Sequence, residues 1–181
     1  MEEKFLQVLK EMKGKFLHFR QDEVMLSSGK KTVRDTVLHP GAVAIAALTG
    51  EGEIIFVRQY RYPIGQVCYE IPAGKLETGE DPLETAQREL EEETGYKAAK
   101  WEKLASFFTA PGFSNEVIHL YRAEGLEATG PHPDPDEIIE FEKIPLSRAC
   151  AMLNTGEIKD AKSIIGLLWL MKERQSLENL K

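Results

Sequence analysis

Through the first half of the chain, apolar and polar positions alternate in short runs broken by turn-forming residues, the pattern of strands with one buried face. Two such runs, residues 15–20 and 23–26, flank the polar pair Gln21-Asp22 and predict a small hairpin. A turn is expected at Ser27-Ser28-Gly29-Lys30-Lys31. Further strands are predicted at 33–38, 41–48, 53–59 and 67–71, each rich in β-branched or aromatic residues and bounded by breakers. Gly50-Glu51-Gly52 reads as a tight loop between two of them. Phe19 and Tyr60 are expected in the core.

The period then changes. Asp81 can act as an N-cap, Pro82 takes the favoured first helical position, Glu84 stands at capping-box spacing and Gly95 supplies a stop. A helix over 82–94 follows. Strands are expected again at 101–108, 117–123 and 138–141, and helices near 146–153 and 161–172. The longest loop is 125–136, with the run Pro131-His132-Pro133-Asp134-Pro135-Asp136, and long loops in compact domains are often functional.

Four of the five residues from 89 to 93 are Glu, and like-charge pairs such as Glu89 with Glu93 cost a few tenths of a kcal/mol each. At ~100° per residue, Glu89, Glu92 and Glu93 fall within a roughly 100° arc. Leu83, Ala86, Leu90 and Thr94 face another side as the buried stripe. Three carboxylates thus point the same way. Such an all-oxygen set suits Mg²⁺ or Mn²⁺, and the absence of Cys or His nearby argues against zinc. A solvated acidic face is the other reading of the same run.

Length and charge narrow the setting. The 181 residues suit one domain, or one with a small appendage. Lys plus Arg total 23 against 30 Asp plus Glu, a net charge of −7 with no basic block, which argues against a nucleic-acid grip. An anionic ligand would then need something local to attract it, and a bound cation would serve. Apolar runs such as 164–171 fall far short of the ~20 residues that span a bilayer, and Met1-Glu2-Glu3-Lys4 is not the start of a secretory signal, so a cytoplasmic protein is expected. Cys68 and Cys150 stand in no metal-binding or redox spacing. His18, His39 and His132 have no partner identifiable in the sequence, and His39, before Pro40-Gly41, reads as shaping a turn.

From Gly74 the chain runs five residues to Glu80, seven more to Arg88-Glu89-Leu90, one to Glu92-Glu93, and one to Gly95-Tyr96. This resembles the Nudix box, G-x5-E-x7-R-E-U-x-E-E-x-G-U. The one departure is Tyr96, where an aliphatic residue is usual, at a position that packs rather than reacts. The resemblance implies hydrolysis of a nucleoside diphosphate linked to another moiety, with Mg²⁺ (Mn²⁺ as a substitute) held by the helix glutamates. It implies Glu89 and Glu93 as direct ligands, Glu92 as a ligand or sharer of a bridging water, and the carbonyl of Ala73 as a further ligand. Arg88 would orient a catalytic glutamate, and Glu80 would be structural.

Pro111 lies fifteen residues beyond Tyr96, within Ala110-Pro111-Gly112-Phe113-Ser114-Asn115-Glu116. This segment resembles the marker of the ADP-ribose pyrophosphatase subfamily. His39-Pro40-Gly41-Ala42-Val43, Arg58-Gln59-Tyr60-Arg61 and Glu70-Ile71-Pro72-Ala73-Gly74-Lys75 are similar to the same subfamily. The subfamily implies a homodimer whose N-terminal strands reach the partner, a nucleotide-sugar substrate, and products AMP and ribose 5-phosphate. Arg34, Arg61, Ser114 and Glu116 become candidate substrate contacts. Glu137 becomes the candidate base, with Asp136 and Glu140 as rivals. The implied fold is an α/β/α sandwich around a mixed β-sheet, over residues 39–181, with residues 1–38 as a small N-terminal β extension that forms the dimerisation arm. Alternatives are a Nudix hydrolase of another nucleotide sugar or dinucleotide, and a non-catalytic ADP-ribose sensor.

Overall fold

A computed structural model describes residues 2–77, 79–130 and 139–178, with side chains as far as 173. The chain divides into two compact units. The first comprises Met1–Gly41 and Phe107–Val117, and the second Ala42–Ser106 and Ile118–Lys181.

In the first unit, β1 (Lys4–Lys13), β2 (His18–Met25) and β3 (Lys31–Leu38) form an antiparallel sheet in that order. The expected hairpin is displaced. Gln21 and Asp22 lie in the middle of β2 rather than at a turn, and the turn falls at residues 14–17, where Gly14 N–H donates to Leu17 O at 2.7 Å. Pairing within the sheet explains the error: Gln21 donates to Asp35 of β3 at 2.9 Å, and Asp22 accepts from Arg20 of its own strand at 2.7 Å, so two polar residues that read as a break sit inside a ladder.

The second unit holds a three-stranded sheet, β10-β5-β6, and a four-stranded one, β7-β4-β9-β8. Their ranges are β4 Ala42–Ala47, β5 Glu53–Arg61, β6 Gln66–Glu70, β7 Ala73–Lys75, β8 Tyr96–Phe108, β9 Val117–Ala128 and β10 Ile139–Pro145. The four-stranded sheet is mixed, since β4 runs antiparallel to β7 and parallel to β9. Its helices are α1 (Pro82–Thr94), α2 (Leu146–Thr155) and α3 (Ala161–Glu178).

Strand alternation divides the core into two layers. Val43, Ile45 and Ala47 of β4 pack with Tyr121 and Ala123 of β9 and with Ala86 and Leu90 of α1. On the opposite face, a Cβ on Gly166 of α3 would meet Ile71, Leu120 and Ala46 side chains at 3.1–4.0 Å. The mixed sheet is therefore sandwiched between α1 and α3, as the α/β/α expectation requires. β4 is almost wholly apolar because both of its faces are covered.

The start and stop of α1 follow its sequence. The Asp81 carboxylate accepts from the N–H groups of Leu83 and Glu84, Pro82 sits in the first turn, and Gly95 closes the helix at φ 70° with its N–H on Glu91 O at 2.8 Å. Tyr96 packs against the α1-side core and meets Phe141 edge-on at 6.0 Å, so the unusual aromatic of the box is a packing residue. Tyr60, expected in the core, is 57% exposed. It is the penultimate residue of β5, on the face opposite Gln59 and Arg61.

Candidate active site

The loop between β7 and α1 returns the helix across the strand that precedes it. Glu93, one of the few buried carboxylates, accepts the N–H of Ala73 at 3.0 Å. Glu89, one turn earlier, lies over Gly74: a Cβ there would stand 1.8 Å from the Glu89 carboxyl carbon. The glycine is thus required by close approach rather than by an unusual backbone angle, because any side chain would displace Glu89. Two carboxylates and the Ala73–Gly74 backbone meet at one place.

Arg88 donates to Glu92 at 2.8 Å, to Glu89 at 3.0 Å and to Glu80 at 3.2 Å. Burial works against the charged guanidinium, but the three carboxylates more than offset it and push its pKa upward. In return Arg88 holds the Glu80 carboxyl below its ordinary range. Glu80 also accepts Glu77 N–H at 3.1 Å, so it braces the loop that carries Gly74 toward the helix.

Among the described residues, no group of three or more His, Cys, Asp or Glu side chains is set up to hold a metal ion as it stands. Arg88 Nη1 bonds both Glu89 and Glu92, while its Nε and Nη2 close on Glu80. The donor chemistry still fits a hard divalent cation: carboxylate oxygens from Glu89, Glu92 and Glu93 and a backbone carbonyl at Ala73, with a glycine clearing the space between.

A second ionic cluster lies on the face of the sheet that packs against α3. The register Val57↔Glu70, Gln59↔Cys68 and Arg61↔Gln66 puts Arg61, Cys68 and Glu70 on one side of the β5-β6 pair. The Arg61 fork closes on Glu70 with two bonds of 2.7 Å, and Lys162 of α3 donates to the same carboxylate. Burial raises the Glu70 pKa, but the two cations outweigh it and hold the carboxyl at about 2. Arg61 is raised in turn, chiefly by Glu70 and further by the fields of Glu93 and Asp160. These side chains line a cavity of ≈ 320 Å³ together with Pro63 and Ile64.

Sequence reasoning gave Glu70 and Lys162 no role. Asp160 and Ser163 carried a legible signal, a capping spacing at the head of α3: Asp160 accepts from Ser163 N–H at 3.0 Å and from its hydroxyl at 2.6 Å. Lys162 has no local signal, since its partner is distant in sequence.

Of the remaining candidates, Arg34, Ser114 and Glu116 lie in the first unit and Glu140 in the second, while two fall beyond the described residues. Arg34 pairs with Glu3 at 2.6 and 3.0 Å. Ser114 and Glu116 are brought together, the Ser114 hydroxyl accepting Glu116 N–H at 3.2 Å. Glu116 also accepts from Thr109 at 2.5 Å and faces His39 Nε2 at 3.5 Å. His39 Nδ1 accepts Gly41 N–H at 3.0 Å, which is the turn-shaping role its sequence context implies. Glu137 and Asp136 lie outside the described residues, as does His132. Glu140 is held by Arg58 at 3.1 Å across β5 and β10.

Comparison with known proteins agrees with this geometry. The NUDIX domain model matches residues 37–165. The chain is 42% identical over 172 residues to an ADP-ribose pyrophosphatase of Bacillus subtilis, covering 94% of this chain and 93% of that protein. It is 43% identical over 171 residues to a methanol dehydrogenase activator of Bacillus methanolicus, covering 93% and 92%. A crystal structure of an ADP compounds hydrolase superposes with a TM-score of 0.86 at 20% identity, over 98% of this chain and 96% of that one. With the box residues gathered on β7 and α1, and the match extending through both sheets, the chain belongs to the Nudix family of hydrolases.

Proposed function

We propose that the chain hydrolyses the diphosphate of ADP-ribose, with Mg²⁺ as cofactor, to AMP and ribose 5-phosphate. One observation carries the chemistry: Glu89 and Glu93 are brought to the Ala73–Gly74 backbone at a spot only glycine leaves open. The substrate follows the Bacillus subtilis relative, which spans nearly the same length.

Glu89, Glu92, Glu93 and the Ala73 carbonyl would hold Mg²⁺, with Mn²⁺ as a substitute, and the bound ion supplies an acidified water and charge neutralisation at the diphosphate. Arg88 fixes the rotamers of Glu89 and Glu92 and keeps their charge in place between turnovers. Glu137 accepts the proton of the attacking water. Glu140 is the weaker rival, because Arg58 already holds it. Arg61 binds the diphosphate or the terminal ribose, where a fixed fork is suited to phosphate oxygens. Arg34, Ser114 and Glu116 are further substrate contacts.

Residues 1–38 serve as the dimerisation arm of a homodimer. In support, Phe5, Val8, Leu9 and Met12 of β1 are 41–69% exposed, more apolar surface than a free sheet edge ordinarily shows. No helix among the described residues is long and apolar enough to cross a membrane. A cytoplasmic location is part of the proposal.

A dinucleotide substrate is the second reading, and the Bacillus methanolicus relative, a methanol dehydrogenase activator by name, adds a dehydrogenase as a candidate target. Product analysis with Mg²⁺ and a panel of ADP-ribose, ADP-glucose, GDP-mannose, diadenosine polyphosphate and NADH separates the two. Release of AMP and ribose 5-phosphate from ADP-ribose, abolished by a chelator, is the expected result. Preferred cleavage of NADH would replace the substrate, and tight ADP-ribose binding without turnover would leave only a sensor. Glu137→Gln should lower kcat more than KM; an unchanged kcat would take the base away from Glu137.

A further inference from the structure

Arg61 is offered to substrate in an unusual state: its fork is already closed on a carboxylate that is only 3% exposed. A guanidinium so neutralised would have little charge left for a phosphate. Glu70 is itself shared, however, since Lys162, whose side chain is 11% exposed, donates to the same carboxylate and lies 3.1 Å from Asp160. Asp160 caps α3 through Ser163, and the Ser163 hydroxyl accepts Ile71 N–H at 2.8 Å. The next residue but one, Ala73, carries the Glu93 contact. One network thus runs from the head of α3 to Arg61 and, through the backbone of residues 71–73, to Glu93 of α1.

We propose that Glu70 and Lys162 are positioning residues for Arg61: Glu70 fixes the fork, and Lys162 takes up Glu70's charge so that Arg61 keeps its own for the anionic part of the substrate. The inference rests on the reading of Arg61 as a substrate contact. With all four groups ionised, Arg61 and Lys162 balance Glu70 and Asp160. Without Lys162, two carboxylates face one guanidinium, and the network turns negative beside a diphosphate. An uncompensated charge in a buried network is costly, and the anionic ligand would feel it directly.

The test is steady-state kinetics with ADP-ribose for R61M, K162M, K162R and the R61M/K162M double variant, each with its Tm. R61M should raise KM. K162M should raise KM roughly 5–30-fold with kcat within about twofold, the size of coupling expected for groups in one network. K162R should recover most of the loss, and the double variant should match R61M alone. K162Q replaces K162M if the latter does not reach a wild-type-like Tm. A raised KM in R61M with no change in K162M or K162Q, or effects that multiply in the double variant, would overturn the inference while the reading of Arg61 stands. An unaltered KM in R61M would remove that reading and the inference with it.

Discussion

Two arginines in the second unit are built into opposite electrostatic situations. Arg88 bonds three carboxylates, Glu80, Glu89 and Glu92, with Glu93 one turn beyond Glu89. Arg61 shares Glu70 with Lys162, and Asp160 completes two charges of each sign. One guanidinium bonded to three carboxylates is a setting that favours a further cation or continued access to water. The second is closed: its charges balance, and Glu70 is nearly inaccessible. An unbalanced cluster is therefore where an ion is to be sought, and a balanced one is where geometry is being held. The two are in electrical contact, since Glu93 contributes to the raised pKa of Arg61.

The largest expected effect tests the unbalanced cluster. Glu93→Gln retains an acceptor for Ala73 N–H but removes the charge, so the fold should persist while turnover falls roughly a thousandfold, about 4 kcal/mol of transition-state stabilisation. Turnover is read as kcat/KM and the fold as Tm. Wild-type-like activity would make the glutamates a solvated face and erase the contrast between the clusters.

The balanced cluster should reveal itself in acid. Glu70 titrates at about 2 in the folded state against an ordinary 4.5, so folding favours its ionised form. The stability this supplies is complete above the unfolded value and is lost as pH falls through the folded one. Its size is roughly 3 kcal/mol. Urea unfolding at several pH values between about 5 and 2 should show that slope, and Glu70→Gln should remove most of it while lowering stability near neutrality. An unchanged acid slope in Glu70→Gln would show that Glu70 is not the group that sets it.

The contrast between the clusters also explains what could be read from the sequence. The box was legible because its parts are local: Asp81, Pro82 and Gly95 set the helix ends, and Glu89 and Glu93 recur at the helical period. The two-layer core was not legible from alternation, because β4 is apolar throughout and buried on both faces; the sandwich came from the resemblance alone. The pairing of Arg88 with Glu92 was only half legible, since an i,i+4 spacing allows it but does not choose it over a metal-binding rotamer. Lys162 with Glu70 was illegible, because two residues 92 apart meet only once α3 has packed on β6. The N-terminal hairpin was misplaced because Gln21 and Asp22 lie within a strand paired to β3, where Gln21 bonds Asp35, a partner that no local pattern announces.

Gly74→Ala sharpens the geometry inside the unbalanced cluster. A methyl group there would occupy the place of the Glu89 carboxylate, whose atoms lie 1.8–2.3 Å from it. The side chain can swing aside, so stability should change little while activity falls roughly 10–100-fold, the range seen when a supporting group of a metal site is lost. The measurement is kcat/KM beside Tm. Full activity would mean that Glu89 works equally well from a displaced rotamer.

The smallest effect separates the clusters without any turnover. An ion that binds only the folded chain raises Tm by mass action, about 1.4 kcal/mol at tenfold excess over Kd, or roughly 3–6 °C for a chain of this size. Mg²⁺ should give that rise in the wild type and in K162M, whose defect lies in the balanced network, and should give none in Glu93→Gln. Thermal unfolding with and without Mg²⁺, followed by circular dichroism, reads the difference. A response lost in K162M and kept in Glu93→Gln would reverse the assignment, making the charge-balanced cluster the place where the cation acts.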